Sequence, residues 1–199
     1  YIATDSKKIS KVASKNGYNY IMTSRNCLTG TDRVAEASKK INSKIFINVQ
    51  GDEPGINPKD IKKVINEKIK YPNHVICGYD KIHKLENSSS LNLPKVVINS
   101  KKELIYMSRA LIPGTKNPRK RINYYKQVCI YAFNKKELNK FASNSKKGKL
   151  ENIEDIEILR FLEMGFNVQM IKMSDLSIPV DNPEDITLVE ERLNIEISD

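Results

Sequence analysis

Two adjacent carboxylates, Asp52 and Glu53, follow directly on an apolar run in Ile45-Phe-Ile-Asn-Val-Gln-Gly-Asp-Glu-Pro54. The run Ile45–Val49 reads as a buried strand, and Gly51 makes the turn that ends it. In an open α/β sheet ligands bind beyond the carboxyl ends of the strands. A carboxylate there suits Mg²⁺, a hard cation that takes oxygen ligands and shares them with substrate phosphates. The chemistry suggested is metal-assisted work on a phosphorylated ligand; the plainer alternative is a solvated acidic turn. A second group, Thr29-Gly-Thr-Asp-Arg33, sits at a helix start. A glycine with flanking hydroxyls there presents backbone N–H groups and the positive end of a helix dipole to a phosphate, ribose or base. An ordinary N-cap explains the same residues. A third acidic stretch, Val180-Asp-Asn-Pro-Glu-Asp185, precedes a last helix. Glu184 and Asp185 complement that helix start, whereas Asp181 is left over for a metal shared with Asp52.

The elements that must position these groups alternate. Strands are expected at Tyr1–Thr4, Tyr20–Met22, Ile45–Val49 and Val75–Tyr79. Helices are expected at Ser6–Lys15, Thr31–Ile41 and Pro58–Ile69, where Ile61, Val64, Ile65 and Ile69 recur at helical spacing. This rhythm predicts an α/β fold, a mostly parallel Rossmann-like sheet covered by helices on both faces. From about Lys84 to Lys126 the pattern changes to an inserted arm of mixed strands, Lys95–Asn99 and Leu104–Met107, with a basic loop at Pro113–Arg121. Tyr124–Phe133 is grouped with those arm strands. Helices at Lys135–Phe141 and Leu150–Glu163, a strand at Asn167–Ile171 and a helix at Pro183–Leu193 close a single domain over 1–199.

Composition narrows the function classes. The chain has 199 residues, 39% hydrophobic and 29% charged, enough for one substantial core. No stretch approaches ~18 consecutive apolar residues, so no membrane partner is expected. The formal charge of +10 comes from lysines spread along the whole chain. Without basic residues interleaved with aromatics, it points to anionic small molecules rather than nucleic acid. Cys27, Cys77 and Cys129 form no paired motif and only His74 and His83 could add imidazole, so a zinc site is not expected. Reduced thiols point to the cytoplasm.

The order of motifs resembles the nucleotide-sugar cytidylyltransferases, most closely the 3-deoxy-manno-octulosonate cytidylyltransferase (CMP-Kdo synthetase) family. It is carried by Gly30-Thr-Asp-Arg33, Asn48-Val-Gln-Gly-Asp-Glu-Pro54, Ser108-Arg-Ala-x-Ile-Pro113, Glu151-x-x-Glu154-x-x-Glu157 and the closing Val-Asp-x-Pro-Glu-Asp. The resemblance implies a cytidylyltransferase that attaches CMP from CTP to a 3-deoxy-ulosonic acid for lipopolysaccharide or capsule synthesis and releases pyrophosphate. It implies Mg²⁺ on Asp52 and Asp181, with both as the catalytic residues, and a nucleotide pocket of Thr29, Gly30, Thr31 and Gln50. It implies a sugar site of Arg109, Gln127, Tyr131, Glu154 and Glu157, and a homodimer formed through the arm. The three glutamates at i, i+3 spacing are also expected to share one helix face.

The sequence departs from the family in three places. Nothing matches the family's opening Pro-Ala-Arg-x-x-Ser-x-Arg-Leu-Pro-Gly-Lys loop, so the chain is expected to be N-terminally incomplete and weak or inactive as written. Cys27 stands where the family has histidine. Gln127-Val-Cys-Ile-Tyr131 and Glu157-Ile158 replace His-x-Gly-Ile-Tyr and Glu-Gln. A relative of Kdo therefore competes with Kdo as acceptor. The alternatives are a cytidylyltransferase for another sugar acid, such as a nonulosonic acid, and a non-catalytic binding module of the same fold.

Overall fold

In the computed structural model of the protein, the residues described are 1–83, 86–117, 119, 121–174, 179–180, 182–183, 185–187 and 189–191. The chain begins β1 (Ile2–Thr4), α1 (Lys7–Lys15) and β2 (Tyr20–Met22), a small unit in which β1 and β2 pair in parallel. Then come α2 (Gly30–Ser38), β3 (Ile45–Val49), α3 (Pro58–Lys70) and β4 (Val75–Lys81). A hairpin of β5 (Lys95–Ile98) and β6 (Leu104–Ser108) precedes the long β7 (Tyr125–Asn134). The chain continues with α4 (Lys135–Ala142), α5 (Lys149–Glu154), α6 (Ile158–Glu163) and β8 (Val168–Lys172). The described residues of 183–191 are helical. No helix among the described residues is long and apolar enough to cross a membrane.

Most of these boundaries follow from local chemistry. Ser6 caps α1 at the Ile9 N–H, and Asn57 caps α3 with Pro58 in its first turn. Asn134 and Glu137 form a reciprocal capping box that starts α4 where β7 stops.

β7 is the centre of a six-stranded mixed sheet, antiparallel to β3, β4 and β5, while β4 runs parallel to β8. The sequence pattern groups this strand with the arm. It belongs in the middle because both of its faces are apolar. Tyr131 and Phe133 enter one core cluster with Ala35, Leu138, Phe141 and Phe161, while Val128, Ile130 and Ala132 enter the other with Val64 and Met173. The first cluster lies under α2, α4 and α6, and the second under α3. The β5–β6 hairpin meets β7 at Lys95↔Lys126 and reaches β8 through Glu103↔Gln169. It thus lays Val96, Leu104 and Met107 over the first cluster. Register shifts between Cys77 and Gly78, where β7 bulges. A Cβ on Gly78 would sit 2.8 Å from Ile130 Cγ2, so the strands approach here only because the residue is glycine.

One helix expected from the sequence is two. The run 150–163 breaks after Glu154, where Asp155 takes φ 50°, a left-handed conformation that a short polar side chain tolerates. Glu157 therefore leaves the helix that carries Glu151 and Glu154, and each of the three meets a different partner.

Candidate active site

β3 delivers the acidic turn. Asn48 and Gln50 follow Phe46 on the inward face, and Glu53 N–H closes the turn on the Gln50 carbonyl at 3.2 Å. The Asp52 carbonyl accepts the Val180 N–H at 2.8 Å, which docks the segment before the last helix against this turn. Asp52 Oδ1 is buried and accepts no hydrogen bond. A carboxylate oxygen withdrawn from water without a donor is costly unless a cation or ligand donor completes it. Asn48 Nδ2 and Thr31 Oγ1 are likewise buried without partners.

Gln50, Asp52, Arg109, Gln127, Tyr131 and Glu157 all line one cavity of about 500 Å³, although they come from four separate parts of the chain. Gln127 and Tyr131 are joined on β7, Gln127 Nε2 donating to the Tyr131 hydroxyl at 2.9 Å. Cys129 stands between them on the same face; burial pushes its thiol up to about 12 and likewise raises the Tyr131 hydroxyl. This wall is neutral at physiological pH and suits a hydroxyl-rich ligand.

Arg109 is held by three carbonyls: Nε donates to Glu154 O at 2.5 Å, Nη1 to Leu91 O at 2.8 Å and Nη2 to Asp155 O at 3.0 Å. A guanidinium has five N–H donors, so its fork is fixed while donors remain for a ligand carboxylate. Glu154 stands behind this wall. It accepts Ser108 Oγ at 2.7 Å and the Arg109 N–H at 2.8 Å. Burial alone would raise its carboxyl; those donors outweigh burial and hold it below the usual range. Its place is to fasten β6 to α5.

The nucleotide turn is tied down internally. Thr29 caps α2, accepting from the Asp32 N–H at 3.2 Å and donating to Asp32 Oδ2 at 2.8 Å. The Gly30 and Thr31 N–H groups donate to Glu157 Oε1 at 3.0 Å and Oε2 at 2.8 Å. The helix start expected to meet a phosphate is thus occupied by a carboxylate of the same chain. Gly30 borders a second cleft of about 920 Å³ between β1 and β3, which shares Gln50, Asp52 and Glu157 with the first.

Asp181 lies outside the described residues, as does Glu184. Among the described residues, no cluster of three or more His, Cys, Asp or Glu forms a metal set. Sequence reasoning left out several groups that the fold brings here. Lys126, Cys129 and Asn182 line the 500 Å³ cavity beside Glu53 of the acidic turn, and Lys126 is ion-paired to Glu86. Asn48 could have been found as a lone polar side chain on the inward face of an apolar strand. Cys129 could have been found by its alternation with Gln127 and Tyr131.

The sequence matches the cytidylyltransferase family profile over residues 1–175. The chain belongs to the cytidylyltransferase family. It is 36% identical over 191 residues to a 3-deoxy-manno-octulosonate cytidylyltransferase of a Nitratiruptor species, covering 93% of this chain and 79% of the relative. It is 33% identical over 202 residues to an 8-amino-3,8-dideoxy-manno-octulosonate cytidylyltransferase of Shewanella oneidensis, covering 98% and 81%. Among solved structures, a CMP:2-keto-3-deoxy-manno-octonic acid synthetase complexed with CTP superposes with a TM-score of 0.88 at 29% identity, over 97% of this chain and 79% of that one. The inositol-1-phosphate CTP transferase from T. maritima, at 18% identity and a TM-score of 0.64 over 94% and 71%, shares the fold. As a cytidylyltransferase the chain is a nucleotidyltransferase enzyme, with the mixed α/β sheet of that class.

Proposed function

We propose that this cytidylyltransferase transfers CMP from CTP to a 3-deoxy-ulosonic acid, Kdo or its 8-amino relative, and releases pyrophosphate, serving lipopolysaccharide or capsule synthesis. The observation that carries this reading is the convergence of Gln50, Asp52, Arg109, Gln127, Tyr131 and Glu157 on one cavity beside the α2 start. The names of the relatives support the acceptor class. In this reading the fixed Arg109 fork takes the sugar carboxylate by paired hydrogen bonds. Gln127 and Tyr131 contact sugar hydroxyls, Gln50 lies between sugar and ribose, and Thr29, Gly30 and Thr31 border the cytidine. The anomeric hydroxyl attacks the α-phosphorus and pyrophosphate leaves, so the chain's main contribution is to hold both reactants in line.

The unpartnered Asp52 Oδ1 fits a divalent cation. Asp52 and Asp181 would hold Mg²⁺, which when bound neutralises phosphate charge and makes the nucleophile more acidic. The exposed Leu91, Ile105 and Leu111 support the arm as a homodimer face. The three free cysteines support a reducing, cytoplasmic setting.

Pyrophosphate release with CTP and a panel of Kdo, 8-amino-Kdo and a nonulosonic acid tests the reading. Turnover with either of the first two, well above the third, is expected. A protein that binds CTP yet transfers CMP to none of them would overturn it.

A further inference from the structure

Arg160 is 1% exposed, yet it carries a charge that no step above uses. Its Nη1 and Nη2 donate to Asp32 Oδ1 and Oδ2 at 3.0 and 3.1 Å. Its Nε and Nη2 donate to Glu151 Oε2 and Oε1 at 2.5 and 2.6 Å. The guanidinium lies 3.7 Å over the Phe141 ring. Both carboxylates are satisfied a second time, Asp32 by the Thr29 hydroxyl and Glu151 by the Gly148 N–H at 2.7 Å. Only a planar fork reaches two carboxylates in this way; an ammonium does not. Buried ion pairs are often replaceable by apolar residues without loss of stability, so stability alone is a weak account of this one.

Its location supplies a better account. Asp32 belongs to the Thr29–Asp32 turn, and one helical turn before Arg160 the Glu157 carboxylate takes the Gly30 and Thr31 N–H groups. Two side chains from residues 157–160 therefore grip the start of α2, Glu157 as an anion that accepts hydrogen bonds and Arg160 as a cation that donates them. Glu157 also lines both cavities.

We propose that Arg160 is a positioning residue for the donor nucleotide: acting through Asp32, and together with Glu157, it holds the Thr29–Asp32 turn in its binding shape before CTP arrives. The proposal rests on the reading that Thr29, Gly30 and Thr31 line the nucleotide pocket.

CTP affinity by calorimetry, and KM for CTP and for the sugar acid, are compared in wild type, Arg160→Lys, Asp32→Asn and the double variant, each confirmed as folded by circular dichroism. Each single variant should weaken CTP binding about tenfold or more and leave the acceptor KM within twofold at saturating CTP. The double variant should be no worse than the poorer single one, as groups acting through one contact are non-additive. Lys68→Met, which removes a buried ion pair remote from the turn, should leave CTP affinity unchanged. Folded variants that bind CTP as wild type does overturn the clamp, as does an equal rise in both KM values. If Arg160→Lys does not fold, Asp32→Asn decides by the same criterion; if neither folds, the pair is structural and the proposal falls. Absence of CTP binding by the wild type would instead sink the nucleotide-pocket reading, and the clamp with it.

Discussion

The two ends of β3 are braced by the same device and finished differently. At the Ile45 end, paired with Asn134 of β7, Lys68 and Glu137 form a buried ion pair at 2.7 Å. The remaining Lys68 donors go to Pro72 O at 3.2 Å and His74 O at 2.6 Å, so all three are used. At the Val49 end, Arg160 is equally well satisfied, but the groups around it are not. Asp52 Oδ1, Asn48 Nδ2 and Thr31 Oγ1 are buried there without partners. Each unmade hydrogen bond costs about 1–3 kcal/mol. A fold able to satisfy a lysine completely at one end has no general difficulty in pairing polar groups. The leftovers at the other end mark where a ligand completes the structure.

That contrast can be broken at its structural end first. Lys68→Met leaves Glu137 buried and unpaired and should lower unfolding stability by about 3–5 kcal/mol with no change in KM per folded molecule. Urea melts and initial rates check both halves, and a shifted KM would erase the distinction between the two ends.

Glu154 sharpens the contrast from the site side. Its carboxyl is held below the usual value of 4.5 in the folded state. A depressed folded value means its contribution is fully present above pH 4.5 and fades as pH falls through the folded value. Glu154→Gln should therefore cost about 1–2 kcal/mol at pH 7. The gap to wild type should narrow below pH 4.5, read from denaturation curves at several pH values. A gap constant with pH would show that the Arg109 and Ser108 contacts do not depend on its charge.

The effect with least bearing on stability concerns Cys129. With its thiol pushed up to about 12, iodoacetamide at pH 8 should alkylate it roughly 10³-fold more slowly than a free cysteine. Peptide mass spectrometry follows this, and rapid stoichiometric labelling would contradict a neutral, half-buried wall.

Much of this arrangement is legible from local pattern. Ile45–Val49 is bounded by Gly51, α1 and α3 by caps, and the acidic turn by its position after an apolar strand. What escapes depends on contacts far apart along the chain. Nothing near Arg160 announces that its partner is Asp32, and nothing near Ser108 announces Glu154. The i, i+3 glutamates look the same in one helix as in two; the break lies in the single left-handed residue Asp155. The sequence pattern misplaces β7 for a related reason, because apolar residues on both faces say that a strand is buried but not which strands flank it.

Asp52 carries the most weight in this picture. Binding of Mn²⁺ in the presence of CTP, followed by electron paramagnetic resonance in wild type and Asp52→Asn, tests its role directly alongside thermal melts. The variant is expected to melt at or above the wild-type temperature, because a carboxylate with one buried, unpartnered oxygen becomes a neutral amide, while the bound-metal signal is lost and turnover falls at least ~10²-fold. A variant that binds the ion and turns over like wild type would contradict a metal-holding Asp52.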